Sequence, residues 1–201
     1  AMKLVERDNE IVKLRDEFLN LSSSTNDIKG NIYEVLLKKL TNKKEAKESS
    51  QEDVPLNIAI ILSMDPLDPI STVNKDHEKY WKRRELLLKK IDKTTSKVNS
   101  DVHFGNLKYW IQYLGFISLL DKNAIADPTK AIERSLPYIF DSNNALNIDV
   151  FQKLLCERIP VFEGGEVRED IDANTKEEYR RKESHFSMST SLALWRLENR
   201  G

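Results

Sequence analysis

Leu4, Ile11 and Phe18 recur at intervals of seven, with Leu14 and Leu21 between them and charged residues at most other positions. That spacing predicts a helix of about five turns with one apolar stripe over Leu4–Leu21, of the kind a partner helix covers. The polar run Ser22-Ser23-Ser24-Thr25-Asn26-Asp27 breaks it and offers N-caps for a second helix, on which Ile28, Ile32, Val35, Leu36 and Leu40 share a face. The two are expected to form a helical hairpin over 1–45. Thr41 to Asp53 has no large apolar side chain and is expected to be a flexible loop. Val54 to Met64 is apolar almost all round, with Pro55 suited to a first turn, and predicts a buried helix ended by Asp65-Pro66.

Further along, Trp81, Leu86, Leu87, Leu88 and Ile91 mark a helix over about 75–93, followed by a polar connector. Leu107, Trp110, Ile111 and Leu114 predict a shorter helix from about Asn106 with Gly115 as its C-cap. Phe116–Leu120 and Ala124-Ile125 flank the turn Asp121-Lys122-Asn123 as a small hairpin. Asp127-Pro128 starts the next helix, to about Phe140, and another covers Ile148–Arg158. Gly165 to Glu183 is poor in apolar residues and reads as a loop, before a last helix over Ser187–Asn199. The fold class expected is mainly α with short β hairpins: the hairpin over 1–45, a helical, winged-helix-like module over 54–140 and a second over 141–201. The wing of the second is incomplete at Gly201.

Composition narrows the function classes. Of the 201 residues 32% are charged and 39% hydrophobic, and no apolar run approaches the roughly 20 residues of a membrane span. The opening Ala1-Met2 reads as an expression scar, and no signal-peptide h-region follows it. Cys156 is the single cysteine, so no internal disulfide forms, and a cytoplasmic setting is expected. The net charge of -1 gives no global positive field, but Lys75–Lys97 holds nine Lys or Arg against four Asp or Glu. No phosphate-binding Gly-rich loop is present. His77, His103 and His185 lack metal-ligand spacing, and no cofactor is expected.

Three stretches carry a family resemblance. Met64-Asp65-Pro66-Leu67-Asp68-Pro69 follows the apolar helix. Tyr109-Trp110-Ile111-Gln112-Tyr113-Leu114-Gly115-Phe116 leads into Ala126-Asp127-Pro128-Thr129-Lys130-Ala131-Ile132. Arg158-Ile159-Pro160-Val161-Phe162-Glu163-Gly164-Gly165 precedes the terminal helix. Together, over about Leu56–Gly201, the chain resembles the DpdG family, accessory proteins encoded beside enzymes that install 7-deazaguanine derivatives in DNA in bacterial defence islands. The resemblance implies a setting, restriction and antiviral defence on DNA. It also implies a non-enzymatic accessory role among protein subunits of the same island, with double-stranded DNA as a further candidate partner. The stripe over Leu4–Leu21 is the expected oligomerisation or partner surface. The alternative is a winged-helix transcriptional regulator, and a metal-dependent nuclease ranks third.

The candidate nucleic-acid contacts fall in two groups. Lys79, Lys82, Arg83, Lys89, Lys90 and Lys93 on the basic helix suit phosphates, which position a protein without reading sequence. Ser189, Thr190, Ser191 and Arg196 on the terminal helix suit a groove. Glu163, Glu166, Glu169, Asp170 and Asp172 are expected on a solvated loop rather than around Mg²⁺. Trp110, Tyr113, Phe116, Phe151 and Trp195 are expected in the core, and Cys156 as a buried small hydrophobe.

Overall fold

The structure is a computed structural model. It describes residues 5–8, 11–14, 25–72, 78–90, 101–141, 143–175, 181–182 and 185–200. β1 (Val5–Asp8) and β2 (Ile11–Leu14) run antiparallel, pairing Val5 with Leu14, Glu6 with Lys13, Arg7 with Val12 and Asp8 with Ile11. The helix expected over Leu4–Leu21 is therefore wrong here, and the helical hairpin with it; Leu4 and Phe18 to Leu21 lie outside the described residues. Val5, Ile11 and Val12 are β-branched and favour extended backbone.

α1 (Thr25–Thr41) follows as expected and buries Tyr33, Leu36, Leu37 and Leu40. α2 (Lys43–Glu48) replaces the flexible loop expected over Thr41–Asp53. The Asn42 side chain accepts from Lys44 N at 3.0 Å and Glu45 N at 3.1 Å, and Ala46 is fully buried, so a short polar helix gains a cap and an anchor. α3 (Asp53–Leu62) has every residue from Val54 onward buried, as an all-round apolar helix requires. β3 (Ile70–Ser71) is two residues long, too short to leave an alternation in the sequence.

α4 (Glu78–Lys90) and α5 (Asp101–Leu114) come next, α5 starting five residues before the expected Asn106. Gly115 caps α5 at a φ of +87°, where its N–H and that of Phe116 both reach Ile111 O. β4 (Ile117–Leu120) and β5 (Asn123–Ala126) form the expected hairpin. β3 pairs antiparallel with β5, so the strand order is β3-β5-β4.

α6 (Thr129–Phe140) and α7 (Ile148–Arg158) keep their expected places. α8 (Glu166–Asn174) corrects the loop expected over Gly165–Glu183. Its acids Glu166 and Glu169 sit in the first turn, where the helix dipole favours them, while Val167, Arg168 and Ile171 turn inward. Its entry is tight: a methyl group on Gly165 would overlap the Pro160 backbone. α9 (Met188–Glu198) completes the described chain.

α1, α2, α4 and α8 pack around α3, and one apolar core runs from Tyr33 to Ala193. The fold is mainly helical with a small three-stranded antiparallel sheet. Asp127 ties the sheet to the helices on either side. Its carboxylate accepts from Ser118 Oγ at 2.5 Å on β4, from the N–H and hydroxyl of Thr129 on α6, and from Arg196 Nη1 at 2.6 Å on α9. Burial alone would raise its pKa, but the hydrogen bonds from Ser118 and Thr129 and the Arg196 charge prevail and hold it below the usual aspartate range. A depressed carboxylate stabilises the fold above its unfolded pKa, and that contribution is lost as pH falls through the folded value. Asp127→Asn is expected to cost about 1.5–3 kcal/mol at pH 7. In urea unfolding followed along a pH series, its deficit against wild type should shrink below about pH 4; a deficit independent of pH contradicts the ionic tie.

Candidate partner and nucleic-acid surface

α5 divides cleanly by face. Phe104, Leu107, Ile111 and Leu114 are buried, at the i, i+3, i+7, i+10 spacing that keeps one side of a helix on the core. The opposite side exposes His103, Asn106, Tyr109, Trp110, Gln112 and Tyr113. Tyr109 is 62% exposed, Trp110 41% and Tyr113 44%, so Trp110 and Tyr113 are not the core residues expected; Trp195 on α9, at 59%, also faces out. Phe116 and Phe151 are buried as expected.

The aromatic face is held from behind. The Tyr33 hydroxyl on α1 donates to Leu114 O at 3.1 Å, and its ring lies 6.2 Å from that of Tyr113. Arg134 on α6 donates to Tyr113 O at 3.0 Å and sets its guanidinium 4.5 Å over the Tyr33 ring. Burial chiefly raises the Tyr33 pKa, so the phenol stays neutral and remains a donor. These side chains and the exposed Tyr138 border a groove of about 670 Å³. On the far side of Tyr138, Arg158 stacks 3.7 Å over its ring and pairs with Glu34 at 2.5 Å. Exposed Tyr and Trp on fixed backbone, interleaved with Arg, is the composition of a protein-contact hot spot.

The basic helix is α4, and its inner face anchors it. Tyr80 is fully buried and donates to Asn57 Oδ1, which also accepts from Arg84 Nε at 2.7 Å. Tyr80 and Trp81 pack on Phe104. Of the candidate phosphate contacts, Lys82 is exposed. Arg83 instead turns inward and donates to Ser63 O at 3.1 Å and Ser63 Oγ at 3.3 Å. The side chains of Lys79, Lys89 and Lys90, and all of Lys93, lie outside the described residues.

The groove-reading set on α9 is spread apart. Ser189 and Thr190 are fully buried: Ser189 Oγ donates to Leu62 O at 2.7 Å, and Thr190 Oγ1 donates to Glu163 at 3.1 Å. Arg196 is committed to Asp127, and of the four Ser191 alone is exposed. Glu163 is 1% exposed rather than on a solvated loop; it accepts from Ser187 N at 3.1 Å and lies 3.7 Å from Arg168 Nη1. Arg168 Nε also pairs with Asp172 at 2.9 Å. Among the described residues no group of His, Cys, Asp and Glu is placed to hold a metal ion. Cys156 is half-buried, and burial followed by Glu157 raises its pKa, so the thiol is not activated.

These features define a mainly helical protein whose exposed aromatic surface is braced from within. The chain belongs to the DpdG-like family, whose model matches residues 1–201. That membership associates it with the DNA-modification system. No curated protein and no solved structure matches the chain. Among the described residues no helix is long and apolar enough to cross a membrane.

The buried Glu163 yields a stability test. Glu163→Ala strands Arg168 in the interior with only Asp172 beside it, and is expected to cost about 3–5 kcal/mol in urea unfolding. Glu169→Ala, at an exposed position of α8, should stay within about 0.5 kcal/mol of wild type. Equal effects of the two contradict the buried-pair reading.

Proposed function

We propose that this protein is a non-enzymatic accessory subunit of a DNA-modification-linked restriction system, docking a protein subunit on the surface built by α5 and α6. One observation carries the reading: Tyr109, Trp110 and Tyr113 stand exposed on α5, and Tyr113 shares a groove with the exposed Tyr138 of α6. A lone exposed aromatic is ordinary, but a fixed cluster bordered by Arg134 and Arg158 has the anchors of an interface.

The order α3, β3, α4, α5, β4, β5 with strands arranged β3-β5-β4 supports reading 53–126 as a winged-helix module. In that reading α5 is the helix that enters a groove and Asp121-Lys122 the tip of the wing. A DNA-reading helix presents Arg, Lys, Asn and Gln to base edges. α5 presents Asn106 and Gln112 but also Tyr109, Trp110 and Tyr113, and no exposed Arg or Lys among its described side chains, which favours a protein as the main occupant. DNA contact falls to α4, where Lys82 is exposed.

Co-purification with the products of adjacent genes tests the proposal. Trp110→Ala with Tyr113→Ala should weaken capture by about 30-fold or more, a hot-spot loss of at least roughly 2 kcal/mol. The fold should be unchanged, since both side chains are largely outside the core. Undiminished capture by the double variant overturns this surface. The regulator reading wins if the wild type instead footprints its own promoter as a dimer with regular half-site spacing.

A further inference from the structure

A cavity of about 490 Å³ lies on the other side of α4, between the end of α3, α8 and the start of α9. Arg83, Arg168, Arg181 and Lys182 line it, against the carboxylates of Asp65 and Asp172. Met64, Phe186 and Met188 supply an apolar wall. Arg168 is 1% exposed, and its Nη1 has no hydrogen-bond partner among the described residues; Glu163 stands 3.7 Å from that atom, and Asp172 pairs with Arg168 Nε at 2.9 Å. Arg83 Nε is likewise buried and unpartnered, and Arg83 forms no ion pair among the described residues. Burial first, and the Arg168 charge second, lower the Arg83 pKa, as expected of two guanidiniums sharing one pocket.

Like charges brought together and buried N–H groups left unsatisfied are both costly, and an anion on the cavity side relieves both. The guanidinium fork matches phosphate oxygens in pairs. The positive end of α9 opens on the same space at Ser187 and Met188, which adds to the anion's stabilisation. The volume falls in the range of small-molecule sites, and the Met and Phe wall suits a flat ring.

We infer that this cavity binds a nucleoside 5′-phosphate, the phosphate held by Arg83 and Arg168 and the base resting on Met64 and Phe186. This site is separate from the partner surface, and the inference does not depend on it. The ligand has two sources with one chemistry, a free mononucleotide or the 5′-terminal nucleotide of a DNA strand.

Isothermal titration of the full chain tests it, with the four deoxynucleoside 5′-monophosphates, the matching nucleosides, and a ten-nucleotide strand with and without its 5′-phosphate. Saturable binding is expected for the phosphorylated ligands, with the unphosphorylated forms weaker by about tenfold or more, as loss of a charged hydrogen bond implies. Arg83→Met should lose about 10- to 100-fold, since charged hydrogen bonds contribute roughly 1.5–3 kcal/mol. Lys182→Ala, at an exposed rim position, should lose severalfold without touching the core and guards against a misfolded Arg83 variant. Tighter binding of the phosphorylated strand assigns the site to DNA ends, and equal binding of the mononucleotide assigns it to a free ligand. No saturable binding of any phosphorylated form, or binding that both variants leave unchanged, overturns the inference.

Discussion

Glu163 sits where the turn after α7 meets the entries to α8 and α9, and its carboxylate receives everything around it. Arg168 approaches from α8, and Ser187 N and the Thr190 hydroxyl from the start of α9. A buried carboxylate with one cation and two donors is compensated, whereas the same group with any of them removed is a liability. That constraint fixes where α9 begins, and so brings Ser189 onto the end of α3 and Arg196 onto Asp127. Arg168 is also among the residues that line the arginine-rich cavity. Structure and candidate binding site thus share an origin.

The two candidate surfaces differ in chemical character. One is aromatic and braced by Tyr33 and Arg134, suited to a protein whose burial supplies the free energy. The other is a pocket with an excess of guanidinium charge, suited to a phosphate.

Much of the architecture was legible in the sequence because apolar spacing and capping residues agree. Gly115 and Asp127-Pro128 marked true boundaries, and Val54–Leu62 was recognisable as a buried helix. Two departures share a cause, because charge along a segment does not exclude burial of a few of its residues. Lys43–Glu48 and Glu166–Asn174 are rich in charge, yet each hides a few inward residues, Ala46 in one and Val167, Arg168 and Ile171 in the other. Residues 5–8 and 11–14 failed differently, since the spacing of seven hid the extended preference of the β-branched Val5, Ile11 and Val12. The candidate site was read only in part. Ser189 and Thr190 looked like groove-reading hydroxyls because first-turn Ser and Thr serve capping and DNA contact alike. Tyr113 lies off the face shared by Leu107, Ile111 and Leu114, which held the signal that it points outward, whereas Trp110, three residues from Leu107 and four from Leu114, sits at the edge of that face and its exposure was not legible from spacing.

The dependence of the fold on Glu163 and Arg168 is tested most directly by a double-mutant cycle with Glu163→Met and Arg168→Met. If the pair is the buried hub described above, each single change strands a polar partner, while the double replaces both with apolar groups of similar bulk. Urea unfolding should then find the double variant more stable than the sum of the singles by at least about 2 kcal/mol. Additive losses, within about 0.5 kcal/mol, would show that the two residues act independently and contradict the account.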